Sequence, residues 1–194
     1  MNLVEKALEI ATKAHENQFR RDKITPYITH PIAVSGIVTR YVRSNKVEIG
    51  EKLNSLIYWA RMECLAFGIH SKQFSEILEI VSISHDLEED CAEKGFTINS
   101  FIFELQKYSS GDSYYSPIFF LIIKKSLEAL THRIGDSYLD YILTAKKDRI
   151  ARIIKLGDIE HNISTRNGSN TAGEIEKDKL AIEKYELARH ILLN

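Results

Sequence analysis

The stretch HDLEED at His85–Asp90 sets one histidine and four acids within about one and a half turns of a predicted helix. Helical spacing brings His85 near Glu89, and Asp86 near Asp90. Like charges at this density repel unless something positive sits among them. A divalent cation fills that role, with imidazole and carboxylate among its ordinary ligands. The plain alternative is a solvated acidic helix end. The apolar run ILEIVSIS just before the motif weighs against it, because it brings the helix out of a core.

Three further places hold residues that can do chemistry. In IIKLGDIEHN, Lys155, Asp158 and Asn162 fall at i, i+3 and i+7 amid apolar Ile153, Ile154, Leu156, Ile159 and Ile163. They form one polar stripe, which either faces solvent or lines a site. In PYITHP, His30 precedes Pro31, which biases it towards an extended conformation at the start of a helix. A histidine there is either a capping or packing residue or a ligand. Just upstream, Arg20 and Arg21 head the densest short basic cluster, RRDK. It reads either as an exposed loop or as a clamp for phosphate oxygens, which suit the planar guanidinium.

The elements that must position these residues are helical. Apolar spacing of three and four recurs at Val4, Ala7, Leu8, Ala11 and Ala14, at Val34, Ile37, Val38 and Tyr41, and at Leu53, Leu56, Ile57, Ala60 and Cys64. Ile77, Leu78, Val81 and Ser84 lead into HDLEED as one helix. Further helices are predicted at Ile98–Tyr108, Pro117–Leu130, Tyr138–Lys146, Arg149–Ile163 and Glu174–Leu192. Ser116 and Pro117 make an N-cap and N1 start. Loops fall at Arg20–Thr29, Ser44–Gly50, Glu93–Thr97, Ser109–Ser116 and Thr165–Gly173, the last with the strongest turn composition. The expectation is an all-α bundle of eight or nine helices, with residues 1–194 as one domain. Trp59 and the aromatic residues of Phe101–Tyr115 read as core or loop packing, and His70, His132 and His190 as surface or packing residues.

Composition limits the partners. With 26 basic and 27 acidic residues the net charge is −1, so there is no global basic field for nucleic acid. No apolar run approaches the roughly 18–20 residues that span a bilayer. The amphipathic, charged N-terminus lacks the apolar core of a signal peptide. Cys64 and Cys91 have no metal-site spacing and read as reduced thiols. These features lead to the expectation of a cytoplasmic protein that binds neither membrane nor nucleic acid.

Taken in order, AHENQFRRD, PYITHP, HDLEED and IKLGDIEHN resemble the HD superfamily of metal-dependent phosphohydrolases. The closer likeness is to the hydrolase domain of the RelA/SpoT homologues and its small stand-alone relatives, which remove the 3′-pyrophosphate from guanosine tetra- and pentaphosphate. The resemblance implies an HD helical bundle and a nucleotide substrate. It implies that His30, His85, Asp86 and Asp158 hold a divalent metal, with Mn²⁺ the family expectation, and that Glu89 and Asp90 position or deprotonate the attacking water. Arg20 and Arg21 match basic residues near the substrate phosphates. Lys155 and Asn162 match residues that hold the nucleotide or support the site, and Tyr185 matches an aromatic residue near the nucleotide. His15 and His161 match positions that pack or orient neighbours.

The sequence also departs from that pattern. There is an added helical segment near Leu53–Phe67, an unfamiliar stretch at Ser109–Tyr141, Gly157 where alanine is usual, and Ile159 where arginine is usual. No ligand is lost, but the substrate is left open. The alternatives are an HD phosphohydrolase of the 5′-nucleotidase or dNTP hydrolase type, and a non-catalytic nucleotide-binding module. The intact Glu89–Asp90 pair speaks against the last.

Overall fold

The computed structural model describes residues 2–44, 50–166 and 172–194. Among them nine helices have ten or more residues and no strand forms. In chain order the helices are α1 (Leu3–Ala14), α2 (Thr29–Arg43), α3 (Glu51–Ala66), α4 (Ser71–Ser84), a short α5 (Leu87–Cys91), α6 (Ile98–Tyr108), α7 (Pro117–Leu130), α8 (Tyr138–Lys147), α9 (Arg149–Ser164) and α10 (Ala172–Leu193). The expected all-α bundle is what forms. The interiors of the expected Ser44–Gly50 and Thr165–Gly173 loops, residues 45–49 and 167–171, lie outside the described residues.

Side-chain caps fix several starts. Asn2 Oδ1 accepts from Glu5 N at 2.9 Å while Glu5 Oε2 accepts from Asn2 N at 2.7 Å, a reciprocal capping box at α1. Asp148 Oδ1 accepts from Ala151 N at 2.8 Å and from Ser126 Oγ at 3.0 Å, tying the start of α9 to α7. Pro117 opens α7 as expected, although Ser116 caps through its extended backbone and not through its hydroxyl.

Helix α9 is the axis of the fold and packs against α2, α3, α4, α7, α8 and α10. Every residue from Ile153 to Ile159 is buried. A helix buried on all faces should be apolar all round. Lys155 and Asp158 are the exceptions, so the polar stripe lines an internal site and does not face bulk solvent. Ile159 is fully buried, in a position with no access for a charge. Helix α4 packs against α1, α2, α3 and α7, and its last turn delivers His85 to the same interior.

Three expectations need correction. HDLEED is not one helix: α4 stops at Ser84, Asp86 takes φ −95°, ψ 0°, and Leu87–Cys91 is a separate turn of helix. Two local bonds favour the break, since Ser84 Oγ donates to Ile80 O at 2.5 Å and His85 Nδ1 bonds Ser82 O at 2.8 Å. His30 is helical rather than extended, because α2 begins at Thr29 and His30 N donates to Tyr27 O at 2.9 Å. Pro31 is tolerated there because first-turn N–H groups have no helical partner to lose. Trp59 is 57% exposed, and its ring meets the edge of Tyr58 at 5.3 Å. The face of α3 turned to the core is filled by Leu53, Leu56, Ile57, Ala60 and Cys64 without it. Likewise Phe101 is core, whereas Phe103 and Tyr108 are exposed. Cys64 and Cys91 are buried free thiols. No helix among the described residues is long and apolar enough to cross a membrane.

Candidate metal centre and adjacent cavity

Four side chains from three separate segments converge beside the middle of α9. His30 comes from the first turn of α2, His85 and Asp86 from the α4–α5 break, and Asp158 from mid-α9. One ligand atom each of His30, His85 and Asp158 lie within 4.8 Å of one another, and all three residues are buried. His30 Nε2 is 3.1 Å from Asp158 Oδ1 and 3.5 Å from Asp86 Oδ2. His85 Nε2 is 3.1 Å from Asp86 Oδ1 and 3.8 Å from Asp158 Oδ1. Donors sharing one ion at about 2.1 Å lie at most about 4.2 Å apart, so the spacings among His30, His85 and Asp158 are close to those of a single coordination sphere, while Asp86, which meets the two imidazoles through different oxygens, stands beside that group and not within it.

The orientation of the two imidazoles suits ligation. His85 Nδ1 faces Ser82 O, which can only accept, so its proton sits on Nδ1 and Nε2 is left with a lone pair. That Nε2 is buried and has no hydrogen-bond partner among the described residues. A divalent ion among the four groups would satisfy it. Burial disfavours the His85 cation, but Asp86 and Asp158 outweigh burial and push its pKa up to about 9, a sign that this point in the fold favours positive charge. His30 Nδ1 lies 2.7 Å from His161 Nδ1. Burial, then His30 and Arg20, push His161 down to about 4, so it is neutral and able to accept from His30 Nδ1. His30 Nε2 is then free to face the carboxylates.

Outer contacts hold the carboxylates. Burial alone would raise Asp158, but Lys155, His30 and His85 hold it well below the usual carboxylate range. Lys155 Nζ donates to Asp158 Oδ2 at 2.7 Å, and Asn162 Nδ2 donates to Oδ1 at 2.5 Å. The Lys155 ammonium also sits 4.6 Å from the Tyr141 ring centre. Its charge therefore supports Asp158 from behind. Tyr27 OH donates to Asp86 Oδ2 at 2.8 Å, and the Tyr27 ring stacks on His15 at 4.7 Å. Such second contacts orient ligands and tune the ion.

Glu89 and Asp90 lie on α5 at the outer edge of the cluster. Glu89 Oε2 accepts from His132 N at 3.2 Å. Burial, then Asp86 and Asp90, push the Glu89 pKa up, and burial and Asp86 do the same for Asp90. Both are thereby better proton acceptors than ordinary surface carboxylates. His132, expected to be a surface or packing residue, secures Glu89 through its backbone.

Beside the cluster lies a cavity of about 380 Å³ lined by Arg20, Arg21, Tyr27, His161, Asn162 and Arg166, among others. It adjoins the metal cluster through Tyr27, His161 and Asn162. An antiparallel bridge between Phe19 and Pro26 pinches the arginine loop into shape, and Arg20 N donates to Thr25 O at 2.7 Å. The two arginines diverge. The Arg20 guanidinium stacks over the Tyr27 ring at 5.6 Å. Arg21 reaches α10 and pairs with Asp178. Tyr185 does not line this cavity. It lies beneath Arg166 at 5.5 Å and beside Lys184 at 5.2 Å.

The sequence pattern missed Tyr27, Arg166 and Asp178. Tyr27 was within reach, as it is part of PYITHP. Arg166 follows the polar stripe by four residues beyond Asn162 and carried a weak signal. Asp178 carried none. Against models of known protein families the chain has no match, and no curated protein sequence matches it.

Proposed function

We propose that this protein is a metal-dependent phosphohydrolase of the HD type acting on a nucleotide, most specifically on the 3′-pyrophosphate of guanosine tetra- or pentaphosphate. The observation that carries this reading is the convergence of His30, His85 and Asp158, with Asp86 beside both imidazoles, next to an arginine-lined cavity that holds their outer contacts Tyr27, His161 and Asn162. Structural metal sites close their coordination with protein ligands alone, whereas here the outer contacts of the ligands, Tyr27, His161 and Asn162, line a basic cavity.

His30, His85, Asp86 and Asp158 would hold the ion, with Mn²⁺ the preferred candidate. When bound, such an ion acidifies water and withdraws charge from a phosphoryl oxygen. The rest falls to the chain. Glu89 or Asp90 accepts the proton of the attacking water, favoured by a raised proton affinity. Arg20, stacked over Tyr27 in the cavity wall, offers guanidinium donors for the negative charge that develops on the phosphate. Lys155 and Asn162 keep Asp158 ionised and aimed.

The test is a panel of nucleotides incubated with the purified protein and Mn²⁺. Pyrophosphate release from guanosine tetraphosphate, exceeding turnover of 5′-nucleotides and dNTPs, is the expected outcome. Turnover of a different nucleotide alone would replace the substrate. No turnover of any nucleotide at full metal occupancy would reduce the protein to a binding module.

A further inference from the structure

Trp59 is the single tryptophan of the chain, and the packing of α3 leaves it exposed outside the core. It lies on the wall of a second cavity, of about 470 Å³, with Lys52, Arg149, Arg152 and Leu193. That volume falls within the roughly 300–1,000 Å³ of small-molecule sites. The N-terminal part of α3, the start of α9 and the end of α10 form the hollow. Arg152 precedes Asn162, in the wall of the arginine cavity beside the metal cluster, by about 15 Å along α9. The two cavities share no lining residue and sit towards opposite ends of that helix.

The charges decide what this second cavity can take. Lys52, Arg149 and Arg152 stand in its wall with Glu51, the one carboxylate among its described lining residues. Arg149 Nη1 also pairs with Glu63 at 2.6 Å, and Lys52 bonds the Asn194 side-chain oxygen. Arg152 differs. It donates through Nε to Leu192 O at the end of α10, and among the described residues it forms no ion pair. Burial, then Arg149, push its pKa down, so the two guanidiniums repel each other across the start of α9. An anion between them relieves that repulsion, and a phosphate suits the planar fork of each. The exposed indole beside them is a platform for a flat ring, since every nucleobase has a face that stacks on an aromatic side chain. A ligand that meets both parts of the wall carries an aromatic base and a phosphate.

We propose that this cavity is a second nucleotide site, apart from the metal cluster, in which a base stacks on Trp59 and the phosphates meet Arg152 and Arg149. The ligand class is a free nucleoside phosphate. The site goes beyond the phosphohydrolase reading and does not rest on it, because none of its residues belongs to the metal cluster or to the cavity beside that cluster.

Because Trp59 is the only tryptophan, its fluorescence reports this cavity directly. The experiment titrates α,β-methylene ADP, which resists hydrolysis, into the full-length Mn²⁺-loaded protein and follows tryptophan emission. A saturable quench is the expected result. Adenosine, which lacks the phosphates, and inorganic pyrophosphate, which lacks the base, should each bind at least about tenfold more weakly. Arg152→Gln should weaken the nucleotide by about tenfold. Arg149→Gln, at an exposed ion pair, should weaken it in the same direction, and it tests the site even where loss of the Arg152–Leu192 bond prevents folding. Arg20→Ala, in the other cavity, should leave the quench constant within about twofold. Absence of a saturable quench would overturn the proposal, as would equal affinity in the wild type and both Arg152→Gln and Arg149→Gln. Adenosine binding as tightly as the nucleotide would remove the phosphate from the argument and overturn it too. If Arg20→Ala weakened the quench as much as Arg152→Gln does, the nucleotide would belong to the other cavity. Stronger quenching by polyglutamate than by the nucleotide would make this wall a docking face for acidic protein instead. Quenching in a protein that hydrolyses no nucleotide would leave this site standing while the phosphohydrolase reading falls. Hydrolysis without quenching would do the reverse.

Discussion

Asp86 and Glu89 are three positions apart and should fail in different ways. Asp86 faces both imidazoles, at 3.1 Å from His85 Nε2 and 3.5 Å from His30 Nε2, and accepts a hydrogen bond from the Tyr27 hydroxyl. Asp86→Ala should lose both Mn²⁺ binding and turnover. Glu89 has no such place in the cluster and is held by His132 N. Glu89→Gln keeps that acceptor and removes the base. It should retain the metal while kcat falls about 10²–10⁴-fold. Metal content by mass spectrometry beside single-nucleotide turnover separates the two, and a Glu89→Gln protein with wild-type kcat would reassign the proton transfer to Asp90. At this scale the sequence showed the cluster well. His85 and Asp86 were visible as a dense acidic motif, and Asp158 as one member of a polar stripe in an apolar helix. Whether that stripe met solvent or a site could not be read locally, since the answer depends on what packs around α9. The pairing of Arg166 with Asp178 was illegible for the same reason: two residues twelve positions apart on different helical segments leave no periodic trace.

At the scale of elements, the spacing of Asp158 from His30 depends on how closely α9 approaches α2. Gly157 permits that approach. A Cβ placed there would lie 2.9 Å from Val38 Cγ2, 3.6 Å from Ile37 Cγ2 and 3.7 Å from Val34 Cγ1. The glycine that the sequence marks as a weakness in a helix interior is therefore a contact surface between the two ligand-bearing helices. Gly157→Ala gains about 1 kcal/mol of helix propensity but overpacks a stiff, β-branched side chain, which costs about 1–3 kcal/mol. The balance should be a net loss of about 1 kcal/mol, seen as a fall in Tm of about 2–4 °C, with weaker Mn²⁺ binding as α9 is pushed from α2. A raised Tm with unchanged metal affinity would mean that Val38 yields easily and that the close approach is not needed. Helix ends such as Ile98–Tyr108 and Pro117–Leu130 were legible because capping residues and apolar faces agree there. The break inside HDLEED was not, because side-chain bonds to Ile80 O and Ser82 O compete with the helix without changing its apolar pattern.

Across the whole molecule, the helical packing around α8 and α9 buries proton donors that an unfolded chain would leave free to ionise. Burial, then Glu63, push the Cys64 thiol up to about 12 from an ordinary value of 9.0. Burial pushes the Tyr138 hydroxyl up to about 12 from 10.0, against the opposing charge of Lys155. Burial does the same for Tyr141, whose hydroxyl donates to Leu130 O at 2.7 Å and holds its proton there. In each case the folded state binds a proton that the unfolded state releases. Stability from these groups is therefore complete below their unfolded values and declines as pH rises from about 9 to about 12. Thermal melts from pH 8 to 11 should show Tm falling from about pH 9 upward, each such group adding up to about 1.4 kcal/mol of loss per pH unit once its unfolded form ionises. Tyrosinate absorbance from the buried rings should then appear together with the loss of helical circular dichroism, as one cooperative step. If these tyrosines titrated near pH 10 with the helices intact, the α8–α9 packing would be open to hydroxide. The Lys155–Asp158 pair beneath Tyr141 would then lie in water as well, and the enclosed metal cluster argued for above would lose its wall.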